Sequence, residues 1–376
     1  MTSIPLVDLR AQRRRLGNRI DTAVLRVCDE ANFIMGNEVA EFERSLAEFC
    51  GARHAISCGN GTDALILAMI AKDIGPGDAV FCPTFTFAAT AEAIALRRAT
   101  PVFVDIREDT FNIEPDSLLQ AIETARRSAL RPRGVIAVDL FGYPADYASL
   151  EEIAEQHGLW IVSDAAQSFG ARYRGRAVGQ LAELTTTSFF PSKPLGCYGD
   201  GGAILTDDDQ LAACIDSLRV HGKGADKYDN VRIGVNSRLD AIQAAILREK
   251  LAIFPEELTA RARIARRYSD ALGDTVRTPH MSNDVSSAWA AYTVVLDGHD
   301  RDKVAAGLKQ AGISTAIYYP VPLHRQTAYR DFPRANRNGL PRSERLANSV
   351  LSLPMHPYLD EATQDRVITK VRELAN

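Results

Sequence analysis

Trp160-Ile161-Val162-Ser163-Asp164-Ala165-Ala166-Gln167-Ser168 is the stretch of the sequence that best indicates the fold. It begins as a short run of apolar, strand-forming residues, reaches an acidic residue and continues into small residues. Similar apolar runs recur before and after it, and they alternate with helical patterns. This alternation predicts an α/β fold, with a mostly parallel sheet flanked by helices on both faces.

The alternating region extends from about residue 52 to residue 206. The predicted strands are 54–58, 79–85, 101–106, 135–141, 159–164, 185–190 and 203–206. Helical patterns lie between many of them, at 62–72, 86–97, 115–126 and 147–157. Ligands of such sheets bind outside the carboxyl ends of the strands, so functional side chains are expected there.

The pattern changes after Ser237. Two helical stretches, 237–253 and 256–272, are separated by Pro255, a residue that interrupts helices. A strand-like run and two further helices follow, at 288–296, 301–311 and 361–374. The sequence therefore predicts a large domain over residues 1–250 and a smaller C-terminal α+β domain over residues 251–376.

Composition narrows the class of protein. The chain has 376 residues, 46% hydrophobic content and a net charge of -4, which argues against a nucleic-acid binder. Its six cysteines lack metal-binding or disulfide-framework spacing, so no metal site is expected. It has neither a signal-peptide pattern nor an apolar run of the ~20 residues that a membrane span needs. We expect a cytoplasmic protein that binds no membrane.

Cys58-Gly59-Asn60-Gly61-Thr62-Asp63-Ala64 lies between a predicted strand and a predicted helix. Small residues and free N–H groups at a helix start can hold a phosphate group. The same residues match the G-x-G-x-x-A form of a dinucleotide-binding loop. That alternative needs an acidic residue at the end of the next strand, whereas Asp78 precedes its strand. A simple turn with a helix cap is a third interpretation.

Asp164 ends a predicted buried strand, so its side chain should point into the crevice at the sheet edge. A carboxylate there could pair with a protonated pyridine nitrogen, which a pyridoxal enzyme requires. Capping of a following helix is the alternative interpretation.

Lys193 follows the predicted strand 185–190 and lies between Pro191 and Pro194. The prolines limit backbone freedom, and a lysine fixed in a crevice can form an imine with a carbonyl group. Ser188 is close enough in sequence to bind a phosphate group. Most loop lysines are simply solvated, so this interpretation depends on the neighbouring motifs.

Phe87, in Pro83-Thr84-Phe85-Thr86-Phe87, leaves another strand at the same edge. Its ring could stack on a flat cofactor, or it could pack in the core.

Together these residues resemble a known family. The ordered motifs GNGTDAL, PTFTFAAT, SDAAQSFGA, SFFPSKPLGCYGDGGAI, GVNSRLDAIQAA and YYPVPLH are similar to those of the DegT/DnrJ/EryC1/StrS nucleotide-sugar aminotransferases. The resemblance runs from about residue 5 to the C-terminus. It implies the aspartate-aminotransferase fold (fold type I of pyridoxal-phosphate enzymes) and a homodimer with composite active sites.

The resemblance also implies roles for the residues around pyridoxal 5′-phosphate. Lys193 would bind the cofactor covalently and move protons, and Asp164 would pair with the pyridine nitrogen. Gln167 would lie near the ring and its 3-hydroxyl group, with Phe87 stacked on it. The implied phosphate ligands are Thr62, Asp63 through its backbone, Ser188 and Asn236 from the partner subunit. Separately, Ser237-Arg238-Leu239-Asp240 matches a helix capping box.

The implied reaction moves the amino group of L-glutamate, through pyridoxamine 5′-phosphate, to a nucleotide-linked keto-sugar. The motifs are most similar to enzymes of UDP-2-acetamido-2-deoxy-3-oxo-D-glucuronate, used for bacterial surface polysaccharide such as lipopolysaccharide O-antigen. Candidate sugar contacts are Arg238, Tyr318, Tyr319 and His324. Tyr318 stands where those relatives carry a histidine, so a neutral 3-oxo, a 4-oxo or a dTDP-linked sugar remains an alternative. Two other classes stay open: a nicotinamide oxidoreductase and a non-catalytic regulator that keeps the fold.

Overall fold

The structure is a computed structural model that describes residues 3–226 and 228–375. Its strands are β1 His54–Cys58, β2 Asp78–Pro83, β3 Thr100–Val104, β4 Arg131–Val138, β5 Trp160–Asp164, β6 Arg172–Tyr173, β7 Arg176–Ala177, β8 Leu184–Ser188, β9 Gly202–Thr206, β10 Val285–Ser286, β11 Tyr292–Val295 and β12 Val350–Leu353. Its α-helices are α1 Leu9–Leu16, α2 Asn18–Glu30, α3 Asn37–Cys50, α4 Gly61–Ala71, α5 Ala89–Leu96, α6 Pro115–Arg127, α7 Tyr147–His157, α8 Asp209–Leu218, α9 Ala241–Leu251, α10 Phe254–Leu272, α11 Arg301–Gln310, α12 Pro341–Ser349 and α13 Glu361–Ala375.

Seven strands form the central sheet, in the order β1-β9-β8-β5-β4-β2-β3. Strands β8, β5, β4, β2 and β3 are parallel, and β9 is antiparallel to both β8 and β1. The predicted, mostly parallel α/β sheet is therefore confirmed. The carboxyl ends of β1 and β8 meet the amino end of β9, since Cys58 and Ser188 both pair with Gly202.

The sheet is buried because its strands are apolar on both faces and helices cover them. All six residues of β2 are buried, and β9 is buried along its whole length. Helix α4 carries apolar residues on every side and lies against β8, β9 and α5. No helix formed by the described residues is both long enough and apolar enough to cross a membrane.

The C-terminal half contains a second core. Helix α10 starts with Pro255 in its first turn, where a missing N–H is tolerated, so the break before this helix is confirmed. Phe254 packs in a core that it shares with α3, β9 and α9. Ile264 and Tyr268, further along the same helix, pack in the second core. Ile4 belongs to that second core too, although it lies near the start of the chain. The domain boundary at residues 250 and 251 stays a prediction.

Candidate active site

Asp164 is the last residue of β5 and is buried. Its Oδ2 accepts a hydrogen bond from the Thr90 hydroxyl at 3.1 Å, and its Oδ1 accepts one from the Ala166 N–H at 3.2 Å. Burial raises the pKa of the Asp164 carboxyl, while these donors and the charge of Lys193 oppose the rise. Residues 166–170 form turns, so capping of a helix directly after Asp164 is wrong as an interpretation.

Lys193 lies in the turn between β8 and β9, and its N–H donates to the Phe190 carbonyl at 2.8 Å. Burial lowers the pKa of the Lys193 amine, and the negative charge of Asp164 raises it. Each of these two groups thus changes the ionisation of the other, although one follows β8 and the other ends β5. A lysine that loses its proton more easily than usual can act as a nucleophile and a base.

Side chains of helix α9 stabilise the turn that carries Lys193. Lys250, a buried residue of this helix, donates to the Gly196 carbonyl at 2.6 Å and lies 4.2 Å from the centre of the Tyr198 ring. Gln243 accepts a hydrogen bond from the Tyr198 N–H at 2.8 Å. A side chain at Gly196 would come within 2.5 Å of the Pro191 carbonyl oxygen, so the turn requires glycine there.

The predicted phosphate site lies at the start of α4. Asn60 caps the helix by accepting the Asp63 N–H at 2.8 Å. Among the described residues, no hydrogen bond is donated by the N–H of Gly61 or of Thr62, so both can bind an anion at a helix N-terminus. Ser188 is adjacent, because a Cβ on Gly61 would lie 2.6 Å from the Ser188 Cβ. The phosphate contact of the Asp63 backbone stays a prediction, since the cap uses that N–H.

Ser237 bonds the turn before α4 and does not cap a helix. Its hydroxyl accepts the Gly59 N–H at 2.9 Å and donates to Asp63 Oδ2 at 2.7 Å. Helix α9 begins only at Ala241, and the Asp240 side chain makes no cap bond. The capping box predicted over residues 237–240 is therefore wrong. Ser237 instead stabilises the turn Gly59–Asp63, which leads into α4 and contains the predicted phosphate site.

The neighbours of Ser237 face outward. Asn236 is exposed and Arg238 is half-buried, next to the turn at the start of α4. Their contacts with a partner subunit and with sugar stay predictions.

Aromatic and amide side chains complete the crevice. Phe87 is 59% exposed, so it does not pack in the core, and its ring is available for stacking. Gln167 accepts the Phe141 N–H at 2.7 Å and donates to the Tyr319 hydroxyl at 3.4 Å. Burial raises the pKa of Tyr319 and that of Tyr318, so both phenols are neutral near pH 7.

His324 lies beside this region, but both of its ring nitrogens contact other side chains. Its Nδ1 contacts the Thr84 hydroxyl at 2.7 Å, and its Nε2 contacts Glu344 Oε1 at 2.9 Å. Burial lowers the pKa of the imidazole. The histidine thus ties the end of β2 to α12, and its contact with sugar stays a prediction.

Asp78 tests the dinucleotide-binding interpretation. It is the first residue of β2, at the amino end of the strand, and forms an ion pair with Arg131 at 2.9 Å. The carboxylate therefore lies at the edge of the sheet opposite the Gly59–Ala64 loop, where it cannot bind a ribose held by that loop.

Two further residues of the site were not predicted from the sequence: Thr90, which donates a hydrogen bond to Asp164, and Asp139, which follows β4 and is fully buried. Asp139 carried a usable signal, because an acidic residue near the end of a strand is the same feature that selected Asp164. The prediction instead placed it inside a strand over residues 135–141.

These groups fit pyridoxal phosphate: free N–H groups for its phosphate, a buried carboxylate for its ring nitrogen, an exposed aromatic face and a lysine with a lowered pKa. When bound, the cofactor supplies an electron sink for charge that develops on a substrate carbon.

Comparisons with known proteins agree with this fit. The model of the DegT/DnrJ/EryC1/StrS aminotransferase family matches residues 14–372. UDP-2-acetamido-2-deoxy-3-oxo-D-glucuronate aminotransferase of Pseudomonas aeruginosa is 46% identical over 96% of this chain and 97% of its own length. UDP-N-acetyl-3-dehydro-alpha-D-glucosamine 3-aminotransferase of Acidithiobacillus ferrooxidans is 40% identical over 99% of this chain and 98% of its own.

Among solved structures, a DegT DnrJ EryC1 StrS aminotransferase from Brucella abortus superimposes with a TM-score of 0.97. It is 50% identical and covers 99% of this chain and 100% of its own. Because the family model and these relatives are aminotransferases, the alternatives of a nicotinamide oxidoreductase and of a non-catalytic regulator are set aside. The chain belongs to the DegT/DnrJ/EryC1/StrS aminotransferase family and is a pyridoxal-phosphate-dependent aminotransferase.

Proposed function

We propose that this enzyme transfers the amino group of L-glutamate to the ketone of a UDP-linked 2-acetamido-3-oxo hexose or hexuronic acid. The product would serve bacterial surface polysaccharide synthesis. The observation that carries the chemistry is the electrostatic pairing of Lys193 with Asp164 at the carboxyl edge of the sheet. The UDP-linked 3-oxo sugar is supported by the two relatives at 46% and 40% identity, both named for such sugars.

Lys193 is proposed as the residue that binds the cofactor and moves the proton. Its lowered pKa favours the neutral amine, which can take a proton from the α-carbon of the amino donor. In the second half of the reaction the same group, then protonated, would return a proton to the sugar carbon that receives the amino group. Asp164, as a carboxylate, would hold the proton on the ring nitrogen.

The remaining side chains are proposed to position the cofactor. Thr62, Ser188 and the N–H groups at the start of α4 would hold its phosphate, where the helix dipole favours an anion. The exposed ring of Phe87 would stack on the pyridine, and Gln167 would contact the ring from the Phe141 turn.

A homodimer with composite sites is part of the proposal. Exposed apolar side chains flank the Asn236 segment: Ile233 is 94% exposed, and Phe33 and Ile34 are 44% and 47% exposed. Ile34 pairs with Asp240 in an isolated bridge, so these side chains lie beside the motif that contains Asn236 and Arg238. A second subunit would cover them and bring its Asn236 to the phosphate.

The sugar is proposed to lie near Tyr318, Tyr319 and Arg238. Because Tyr318 is a neutral phenol, it would contact a uronate carboxylate through a hydrogen bond only. This feature favours the neutral 3-oxo hexose over the uronic acid within the proposed class. The six cysteines, all free in the structure, support action in the reducing cytoplasm.

The test has two stages. Addition of L-glutamate to the holoenzyme should bleach its visible absorbance and release 2-oxoglutarate, which reports the first half-reaction alone. The pyridoxamine form is then mixed with UDP-linked 3-oxo hexose, its uronic acid counterpart, a dTDP-linked 3-oxo sugar and a UDP-linked 4-oxo sugar. Mass spectrometry should find amination of a UDP-linked 3-oxo sugar; amination of the 4-oxo or dTDP sugar alone would overturn the substrate assignment.

A further inference from the structure

Asp139 is a buried acid beside the active site with no role in the chemistry described so far. It follows the last residue of β4, and Val138 pairs with Asp164 across the parallel strands. The Asp139 N–H donates to the Asp164 carbonyl at 3.1 Å. Two carboxyl-bearing residues therefore lie on neighbouring strands at the same edge, and the Asp139 side chain is fully buried.

Four hydrogen-bond donors surround the Asp139 carboxyl group. Its Oδ1 accepts the Ala145 N–H at 2.8 Å and lies 2.9 Å from the Tyr147 hydroxyl. Its Oδ2 accepts the Ser168 hydroxyl at 2.8 Å and, more weakly, the Ser163 hydroxyl at 3.5 Å. The group thus connects the end of β4, the start of α7, strand β5 and the turn after β5.

Two of these bonds hold the segments that meet at Gln167. Ser168 is its neighbour in sequence, and Ala145 lies three residues after the turn Leu140–Gly142, in which the Phe141 N–H donates to Gln167. Phe141 has a φ of 59°, in the left-handed region that bulky side chains rarely adopt. Such a backbone persists only where the surroundings hold it, and Asp139 supplies part of that support.

The charge of Asp139 is also close to the chemistry. The pKa of its carboxyl is raised to about 7: burial and, to a smaller extent, the charge of Asp164 raise it, while hydrogen bonds from Ala145, Ser168 and Tyr147 oppose the rise. The titratable groups that face it are Tyr147 on α7 and Asp164 on β5. A positive ring nitrogen held by Asp164 would favour the ionised form of Asp139 as well.

We infer that Asp139 is a positioning residue for transamination: it fixes Gln167 through Ser168 and the Phe141 turn, and its negative charge reinforces that of Asp164. The inference rests on the proposed roles of Asp164 and Gln167. It assigns Asp139 no contact with substrate or cofactor.

Asp139→Asn tests the charge, because asparagine keeps the shape and can accept the Ala145 N–H. The measured quantity is the pH midpoint of the change in visible absorbance of the bound cofactor. Removing a nearby negative charge makes a cationic cofactor less favourable, so we expect the midpoint to fall by at least about half a pH unit. A midpoint that is unchanged or raised would overturn the electrostatic role.

The matched control is Asp105→Asn. Asp105 is also a buried acid that directly follows a strand, β3, and it accepts hydrogen bonds from Ser343 and Arg342 of α12. Its loss should lower thermal stability and leave the absorbance midpoint where it is. A shift in the control equal to that of Asp139→Asn would mean that the midpoint reports general destabilisation.

Ser168→Ala tests positioning separately, because it removes a bond to Gln167's neighbour and keeps both carboxyl groups. We expect kcat to fall by about tenfold with little change in KM for glutamate. The absorbance midpoint should fall as well, because the Ser168 hydroxyl also lowers the pKa of Asp139. Unchanged kcat would overturn the positioning role.

If Asp139→Asn does not fold, Tyr147→Phe replaces it as the test of the charge. Losing the Tyr147 donor raises the pKa of Asp139, so the absorbance midpoint should still fall. If glutamate bleaches the wild-type enzyme, and Asp139→Asn and Ser168→Ala behave like the wild type, this inference is refuted. The proposed function would remain intact in that case.

Discussion

Replacement of Ser237 by alanine tests how the turn Gly59–Asp63, at the start of α4, is stabilised. The buried Ser237 hydroxyl accepts the Gly59 N–H and donates to the Asp63 carboxylate. A neutral hydrogen bond contributes about 1 kcal/mol and one to a charged group about 1.5–3 kcal/mol. Ser237→Ala should therefore lower the free energy of unfolding by about 2.5–4 kcal/mol.

The same change should weaken cofactor binding, because the Gly59 N–H belongs to the turn that leads into the phosphate site. A loss of about 1 kcal/mol there corresponds to a Kd about fivefold higher for pyridoxal phosphate. Urea unfolding of the apoprotein gives the first quantity, and titration with cofactor gives the second. Ser45→Ala is the control: within residues 3–226 and 228–375, this hydroxyl bonds only the Glu41 carbonyl in its own helix. Ser237→Ala with the stability and cofactor affinity of that control would refute the bracing role.

Three further predictions concern the lysine turn, the Lys193–Asp164 pair and the dimer. Lys250→Met removes the donor to the Gly196 carbonyl, so it should speed cofactor release several-fold in a dialysis assay, whereas exposed Lys309→Met should not. Asp164→Asn removes the charge that raises the pKa of Lys193, so the pH midpoint for the reaction of apoprotein with pyridoxal phosphate should fall; a rise would contradict the pairing. Ile233→Asp places a charge in the proposed interface and should shift the sedimentation coefficient toward that of a monomer. The control is Leu96→Asp, an exposed site at the end of α5 remote from the carboxyl edge, which should leave the sedimentation coefficient unchanged.

The alternation of apolar strands and helical patterns was enough to predict the central sheet. The predicted strand 159–164 differs by one residue from Trp160–Asp164, because strand burial leaves a clear apolar signal in the local sequence. Its carboxyl end then located Asp164 without any knowledge of neighbouring strands. The order of strands, and the antiparallel direction of β9, depend on pairing between distant segments and carry no comparable local signal.

Errors arose where a long-range contact uses a residue that also fits a local pattern. Ser237 and Asp240 have the spacing of a capping box, yet Ser237 bonds residues that precede it by more than 170 positions. The partners of His324 are equally distant in sequence, since Thr84 and Glu344 contact its two ring nitrogens, and its contact with sugar stays a prediction. Spacing along the chain cannot reveal these partners, because the fold alone brings them together.

The central claim is that Lys193 binds the cofactor covalently, opposite Asp164. Reduction of the holoenzyme with borohydride, followed by proteolysis and peptide mass spectrometry, measures this directly. We expect the reduced pyridoxyl-phosphate adduct on the peptide that contains Lys193, and its loss in Lys193→Ala. An adduct on another lysine, or none in a protein that binds the cofactor, would contradict the account.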